Sequence, residues 1–218
     1  MATQEFFLDS KTYTETPLIH EGLEQYQGQS LLIYNNSVFK EGDFESLSRP
    51  GDSLKQDDPF STGKFGHGFN SVFNYTDAPS VLSGTSLLLL DPHHSWSKDV
   101  PGIQPGGPIY DTKECCQDPE IKNQLAAFKA FDVDRGGSFD GTVIRLPLRS
   151  SAQAQVSHIV HREAALEDIL DAFGEFIREL KGGGILFLRN ITSVTFRQDG
   201  RHLASMKIIG DDNSVSEM

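Results

Sequence analysis

The chain has 218 residues, 37% of them hydrophobic and 23% charged, with a formal net charge of −12. That length and composition suit one folded domain with a sizeable core, and the acidity excludes the broad basic surface that sequence-independent nucleic-acid binding needs. No apolar run is long enough for a membrane span, and the N-terminus carries no signal-peptide pattern.

The two cysteines, Cys115 and Cys116, are adjacent. They offer neither a disulfide framework nor a metal-ligand spacing, so a reducing setting, cytoplasmic or nuclear, is expected.

Residues 3–9 read as a strand with Phe6 and Leu8 on one side and Phe7 on the other. A short helix is expected around 21–26, and a short interior strand over 30–34 ends in the turn signal Asn35-Asn36-Ser37. Residues 41–47 and 69–75 read as short helices, and Pro79 closes the second. Strands are expected at 80–83 and 86–90, where four consecutive leucines from Leu87 suit burial on both faces. Residues 92–117 are rich in Pro, Gly and polar residues and read as a long surface excursion.

A helix is expected within 120–131 and a strand over 142–148. The strongest helical stripe is Ala165, Ile169, Phe173, Phe176 and Leu180, terminated by Gly182-Gly183-Gly184. Three short strands follow at 185–188, 193–198 and 202–209, the last two flanking the hairpin signal Asp199-Gly200. The reading is a single α/β domain over 1–209, an α+β two-layer sandwich with a mixed, largely antiparallel sheet and helices on one face. Residues 210–218 read as a frayed acidic tail.

Function concentrates in residues 61–71, Ser-Thr-Gly-Lys-Phe-Gly-His-Gly-Phe-Asn-Ser. Gly63, Gly66 and Gly68 let backbone approach a ligand closely, and a helix follows whose N-terminus favours phosphate. Glycine spacing alone favours the plainer alternative, an ordinary mobile loop before a helix. No Gly-Lys-Ser/Thr closes a P-loop, and the context of a dinucleotide fingerprint is lacking.

Longer words narrow the choice. Gly63-Lys-Phe-Gly-His-Gly-Phe-Asn-Ser-Val-Phe73, Thr76-Asp77-Ala-Pro79, Ser83-Gly84, Asp91-Pro92-His93, Phe139-Asp-Gly-Thr142-Val-Ile-Arg-Leu-Pro-Leu-Arg149 and Leu186-Phe-Leu-Arg-Asn190 occur in that order. Together they resemble sacsin-like proteins, which carry an ATPase domain of the GHKL group, the class of gyrase, the ninety-kilodalton heat-shock chaperone, histidine kinases and MutL.

The resemblance implies a GHKL (Bergerat-type) ATP-binding fold and a link to chaperone activity and protein quality control. It places Asn35 or Asn36 at the position of the family carboxylate that accepts from the adenine amino group; the alternative for this pair is a simple turn. It places Gly63, Lys64, Phe65, Gly66, Gly68, Phe69 and Asn70 in a lid over the phosphates. Lys64 is there either a phosphate contact or a solvated lysine, and Asn70 either a donor or a helix cap. Thr142 matches a threonine beneath the adenine, or is an ordinary strand threonine.

Hydrolysis in the family needs a glutamate that polarises water and an asparagine that holds magnesium, both on a helix before the first strand. Here Met1-Ala2 precedes that strand, so a domain incomplete at its N-terminus is expected, with no catalytic residue or metal ligand of its own. The chain is then expected to bind ATP without hydrolysing it alone. The alternatives are a fragment of a full ATPase and a non-catalytic interaction module. Loss of a covering helix would leave Phe6 or Phe7, and Leu31 or Ile33, on an exposed sheet face for a protein partner. Asp91-Pro92-His93-His94 reads as a turn rather than a metal site, because a third ligand at suitable spacing is missing.

Overall fold

Alternating apolar side chains build this molecule, and they do so on both faces of one sheet. The computed structural model describes residues 2–48, 67–98, 100, 103, 106–133, 137–188, 190–209 and 214–217. The strands are β1 (Ala2–Asp9), β2 (Ser30–Asn35), β3 (Ser80–Gly84), β4 (Ser86–Leu89), β5 (Ile109–Asp111), β6 (Phe139–Pro147), β7 (Ile191–Gln198), β8 (Arg201–Ile209) and β9 (Ser214–Glu217). The helices are α1 (Glu41–Ser48), α2 (His67–Asn70), α3 (Pro119–Leu125), α4 (Ser151–Val156) and α5 (Leu166–Lys181). Four 3₁₀ turns join them, at Glu21–Tyr26, Ser71–Asn74, Ala126–Phe131 and Gly184–Phe187.

The strands of the described residues form one open sheet in the order β5-β4-β3-β6-β2-β1-β7-β8-β9. Every pairing is antiparallel except β1 with β7, which is parallel. Register aligns Phe6, Ile33, Ile144 and Val81 in one row, and Phe7, Leu32, Arg145 and Ser80 in the next. Side chains of successive rows point to opposite faces.

On the first face α5 presents Ile169, Phe173 and Leu180 to Leu8, Leu31, Val194 and Phe196. Phe6 stacks on Phe196 at 5.2 Å between ring centroids and meets Phe173 and Phe176 edge-on. Helix α1 adds Phe44 against Val81, Leu88 and Leu90 on that same face. The opposite face buries Phe7, Leu32, Leu82, Leu87 and Val143 beneath Leu23, Tyr26, Trp96 and Phe128.

The expectation of two layers with helices on one face is therefore corrected. Helices α1, α2 and α5 lie on one face, while 3₁₀ turns, α3 and the Trp96 loop close the other. The four leucines from Leu87 to Leu90 are all buried because both faces are covered. Phe7 and Leu31 are likewise buried rather than exposed, and Phe6 and Ile33 are half-buried.

Two other stretches differ from the sequence reading. Residues 92–117 hold the edge strand β5 and a buried tryptophan. The Asp91 carboxylate accepts backbone N–H from Ser95, Trp96 and Ser97 at 2.6, 2.9 and 2.8 Å, and this turn drives Trp96 into the core. Residues 185–188 were expected to be a strand but follow a 3₁₀ turn. Gly183, at φ 93°, reverses the chain after α5, and only Ile185 of that turn is buried. The Asp199-Gly200 hairpin forms with both residues at positive φ. Residues 214–217 of the acidic tail pair with β8.

A buried ion pair ties the loops beneath β6. Arg149 Nε and one Nη donate to Asp77 Oδ1 at 3.0 and 2.7 Å. The same guanidinium donates to the carbonyls of Phe73, Asn74 and Arg162, and the Ser157 hydroxyl donates to Asp77. Removing one partner leaves an uncompensated buried charge. Asp77→Ala is expected to cost about 3–5 kcal/mol by urea unfolding, with part recovered in Asp77→Leu/Arg149→Met. A loss below about 1 kcal/mol would show that the pair is not structural.

Burial, with the Asp9 carboxylate accepting from its hydroxyl at 2.7 Å, pushes the Tyr13 phenol well above its ordinary range. Burial, then the Asp77 and Asp91 charges, does the same for Tyr26, and burial also raises Tyr34 and Tyr110. A raised phenol gives stability that is present below the unfolded value near pH 10 and is lost as pH climbs through the folded value. Arg145, lowered by burial to about 10, acts in the opposite sense, because its unfolded form stays protonated to higher pH. The four phenols outweigh the one guanidinium, so stability is expected to fall above about pH 10. At about pH 11 the folded chain should show less tyrosinate absorbance than the chain in denaturant; coincident titration curves would contradict this.

Candidate functional site

Next to the apolar row Phe6–Ile33–Ile144–Val81, the register sets a polar one on the same face. Gln4, Asn35, Thr142 and Ser83 align across β1, β2, β6 and β3. Two rows apart is the same side of the sheet, so Asn35 shares the face of Ile33. Phe69 packs into the same clusters as Ile33 and Ile144, which places α2 over this face. The result is a shelf with an apolar floor and a polar margin.

Hydroxyls lock the margin. Phe39 N–H donates to Ser83 Oγ at 2.8 Å, Ser83 Oγ and Thr142 Oγ1 are 2.7 Å apart, and Thr142 Oγ1 donates to the Ser37 carbonyl at 2.7 Å. Thr142 has one hydroxyl hydrogen and gives it to Ser37, so Ser83 donates within the pair. The Gly141 carbonyl is a second, longer acceptor for Ser83 at 3.1 Å. Thr142 and Ser83 are buried, and both fasten the turn after β2 to the sheet. Gly141 precedes Thr142 at φ 144°, where a Cβ would lie 2.7 Å from the Asn35 carbonyl oxygen. Only glycine fits that approach.

Asn35 Oδ1 accepts from Ser37 N–H at 2.9 Å, an Asx turn. Its Nδ2 has no hydrogen-bond partner among the described residues. Asn35 therefore keeps two donors and one lone pair for a ligand. Asn36 stands beyond the end of β2, exposed, and its Oδ1 accepts from Thr3 N–H at 2.9 Å. It does not join the row.

Asn70 precedes the Ser71–Asn74 turn and makes no side-chain cap there. Gly68 lies in α2. Gly63, Lys64, Phe65 and Gly66 lie outside the described residues. The structure thus gathers Asn35, Thr142 and Phe69 on one face and sets Asn36 apart. Ser83 and Gly141 belong to the site and were not among the residues expected. Their signal was a hydroxyl two positions beyond Val81 in an apolar strand, and a glycine inside another. No group of three His, Cys, Asp or Glu suited to a metal occurs among the described residues.

Fold and shelf define the class: an open mixed-sheet α/β domain with a candidate ligand-binding face. Residues 1–207 match the model of the Sacsin domain, and the chain belongs to that family. Human sacsin is 31% identical over 196 residues. That match covers 87% of this chain and 4% of the human protein.

Thr142→Val keeps the shape and removes the hydroxyl, taking the donor from the Ser37 carbonyl and leaving Ser83 Oγ only the longer bond to the Gly141 carbonyl. It is expected to cost about 1–3 kcal/mol in denaturant unfolding, with Thr142→Ser close to the parent. Equal stability of Val and Thr at 142 would show that the hydroxyl chain holds nothing.

Proposed function

We propose that this domain binds ATP, with the adenine on the shelf of Ile33, Asn35, Thr142 and Ile144. The observation that carries the reading is the open amide of Asn35 in register with Thr142 beside a half-buried apolar row. Adenine has apolar faces and an edge with a ring-nitrogen acceptor next to an amino donor. An asparagine amide meets such an edge with one donor and one acceptor. Asn35 retains both, and the buried Thr142 holds the margin of the shelf from beneath.

The resemblance to sacsin-like GHKL domains supports ATP over other ligands. It assigns the phosphates to the backbone N–H groups of Gly63, Gly66 and Gly68, with Lys64 as a point charge. Magnesium, expected with the phosphates, has no assigned ligand. The reading covers binding and leaves turnover aside. Phosphoryl transfer needs a positioned water and a metal ligand. The described residues around the adenine place are Gln4, Phe6, Ile33, Asn35, Thr142, Ser83 and Ile144, and none is a carboxylate.

A second reading, a non-catalytic interaction module, draws on the fact that both amide oxygens are already engaged, Asn35 Oδ1 by the Ser37 N–H of its own turn and Asn36 Oδ1 by the Thr3 N–H of β1. Thermal unfolding with nucleotide and magnesium separates the two. ATP at about a hundred times its Kd should add about 2.7 kcal/mol of stability. GTP, whose base edge has the reverse donor pattern, should add less. Asn35→Ala should weaken ATP about tenfold, by analogy with loss of one bidentate amide–adenine contact. No shift with millimolar ATP would leave the interaction module as the reading.

A further inference from the structure

Arg145 points to the face opposite the shelf, in the row of Phe7, Leu32 and Ser80, and is 1% exposed. Among the described residues no carboxylate hydrogen-bonds it. One Nη donates to the Tyr26 carbonyl at 2.9 Å and the other to the Gly28 carbonyl at 3.1 Å, which fastens the end of the Glu21–Tyr26 turn to the sheet. Its Nε has no hydrogen-bond partner among the described residues. Neither have Gln27 Oε1 and Gln124 Oε1, on side chains 4% and 2% exposed. Gln27 Nε2 donates to the Leu23 carbonyl at 3.1 Å, which fixes which way that amide faces.

Arg145, Gln27 and Gln124 line one cavity, walled otherwise by Leu23, Leu89 and Trp96, with a volume of about 10 Å³. A void of about that size holds a single water, provided two to four polar groups receive it. We infer that this cavity is a binding site for one structural water, bridging Arg145 Nε, Gln27 Oε1 and Gln124 Oε1.

The valence matches. Nε–H supplies one donor and the two amide oxygens supply two acceptors, so a water accepts once and donates twice. A chloride would face two carbonyl oxygens and a metal cation would face the guanidinium, so charge excludes both. The volume excludes anything larger. The water completes the solvation of a buried guanidinium that no carboxylate of the described residues hydrogen-bonds, and joins three separate elements: the turn at Gln27, α3 at Gln124 and β6 at Arg145. Ser30 Oγ, also without a partner, does not line this cavity.

A high-resolution crystal structure of the whole chain, with a bromide-soaked crystal beside it, tests this. The expected result is one solvent peak about 2.7–3.2 Å from all three atoms, without anomalous signal from bromide. In solution, the Arg145 Nε–H should show a cross-relaxation peak to a long-lived water, lost in Gln124→Met, which fills similar volume without the acceptor. Three findings would overturn the inference. They are a dry cavity with the three atoms still unpaired, a direct bond from Arg145 Nε to either glutamine, and a bromide peak. Should Gln124→Met not fold, the parent crystal and the parent cross-peak still decide the matter.

Discussion

Asn35 stands opposite Thr142 because β2 and β6 pair without a bulge from Ser30–Pro147 to Asn35–Thr142. A slip of one residue would turn Asn35 to the far face and send Leu32 and Arg145 out of their row. Burial on both faces forbids that slip. Leu31 and Leu32 are both buried, each in a different apolar cluster, so a slip would exchange their faces and drive each into a site packed for the other. The candidate site is therefore held by core packing several residues away from it.

Two buried arginines in β6 and just after it perform different tasks. Arg149 has a counter-ion in Asp77 and draws the chain around residues 73–77, 157 and 162 onto the end of the sheet. Arg145 is hydrogen-bonded by no carboxylate of the described residues and rests on backbone carbonyls. A buried guanidinium without a carboxylate pays a large desolvation penalty unless every donor finds an acceptor, and the fold supplies two protein acceptors at its Nη atoms. The polar cavity beside Nε follows from the same requirement.

The sacsin-domain relationship and the shelf rest on different observations. The family match spans residues 1–207. The shelf rests on register, on the hydroxyl chain from Phe39 to Ser37 and on the unfilled amide of Asn35. The matched region is 4% of human sacsin, so the role of this domain within a larger assembly belongs to proposal.

Local pattern was enough to read the strands of residues 3–9, 30–34 and 142–148, the long amphipathic helix and the Asp199-Gly200 hairpin, because periodicity and turn chemistry act over a few neighbouring residues. It also marked Asn35 and Thr142, through the resemblance. It did not reveal that Asn35 and not Asn36 shares the face of Thr142, since that depends on where β2 ends and with what it pairs. Burial of Trp96 depends on three N–H groups converging on Asp91, and the 3₁₀ turn at Gly184–Phe187 on a left-handed glycine after α5. The closure of both sheet faces and the gathering of Arg145, Gln27 and Gln124 around one cavity required segments more than a hundred residues apart to meet. Such meetings are set by the packing of the whole chain, which no local window contains.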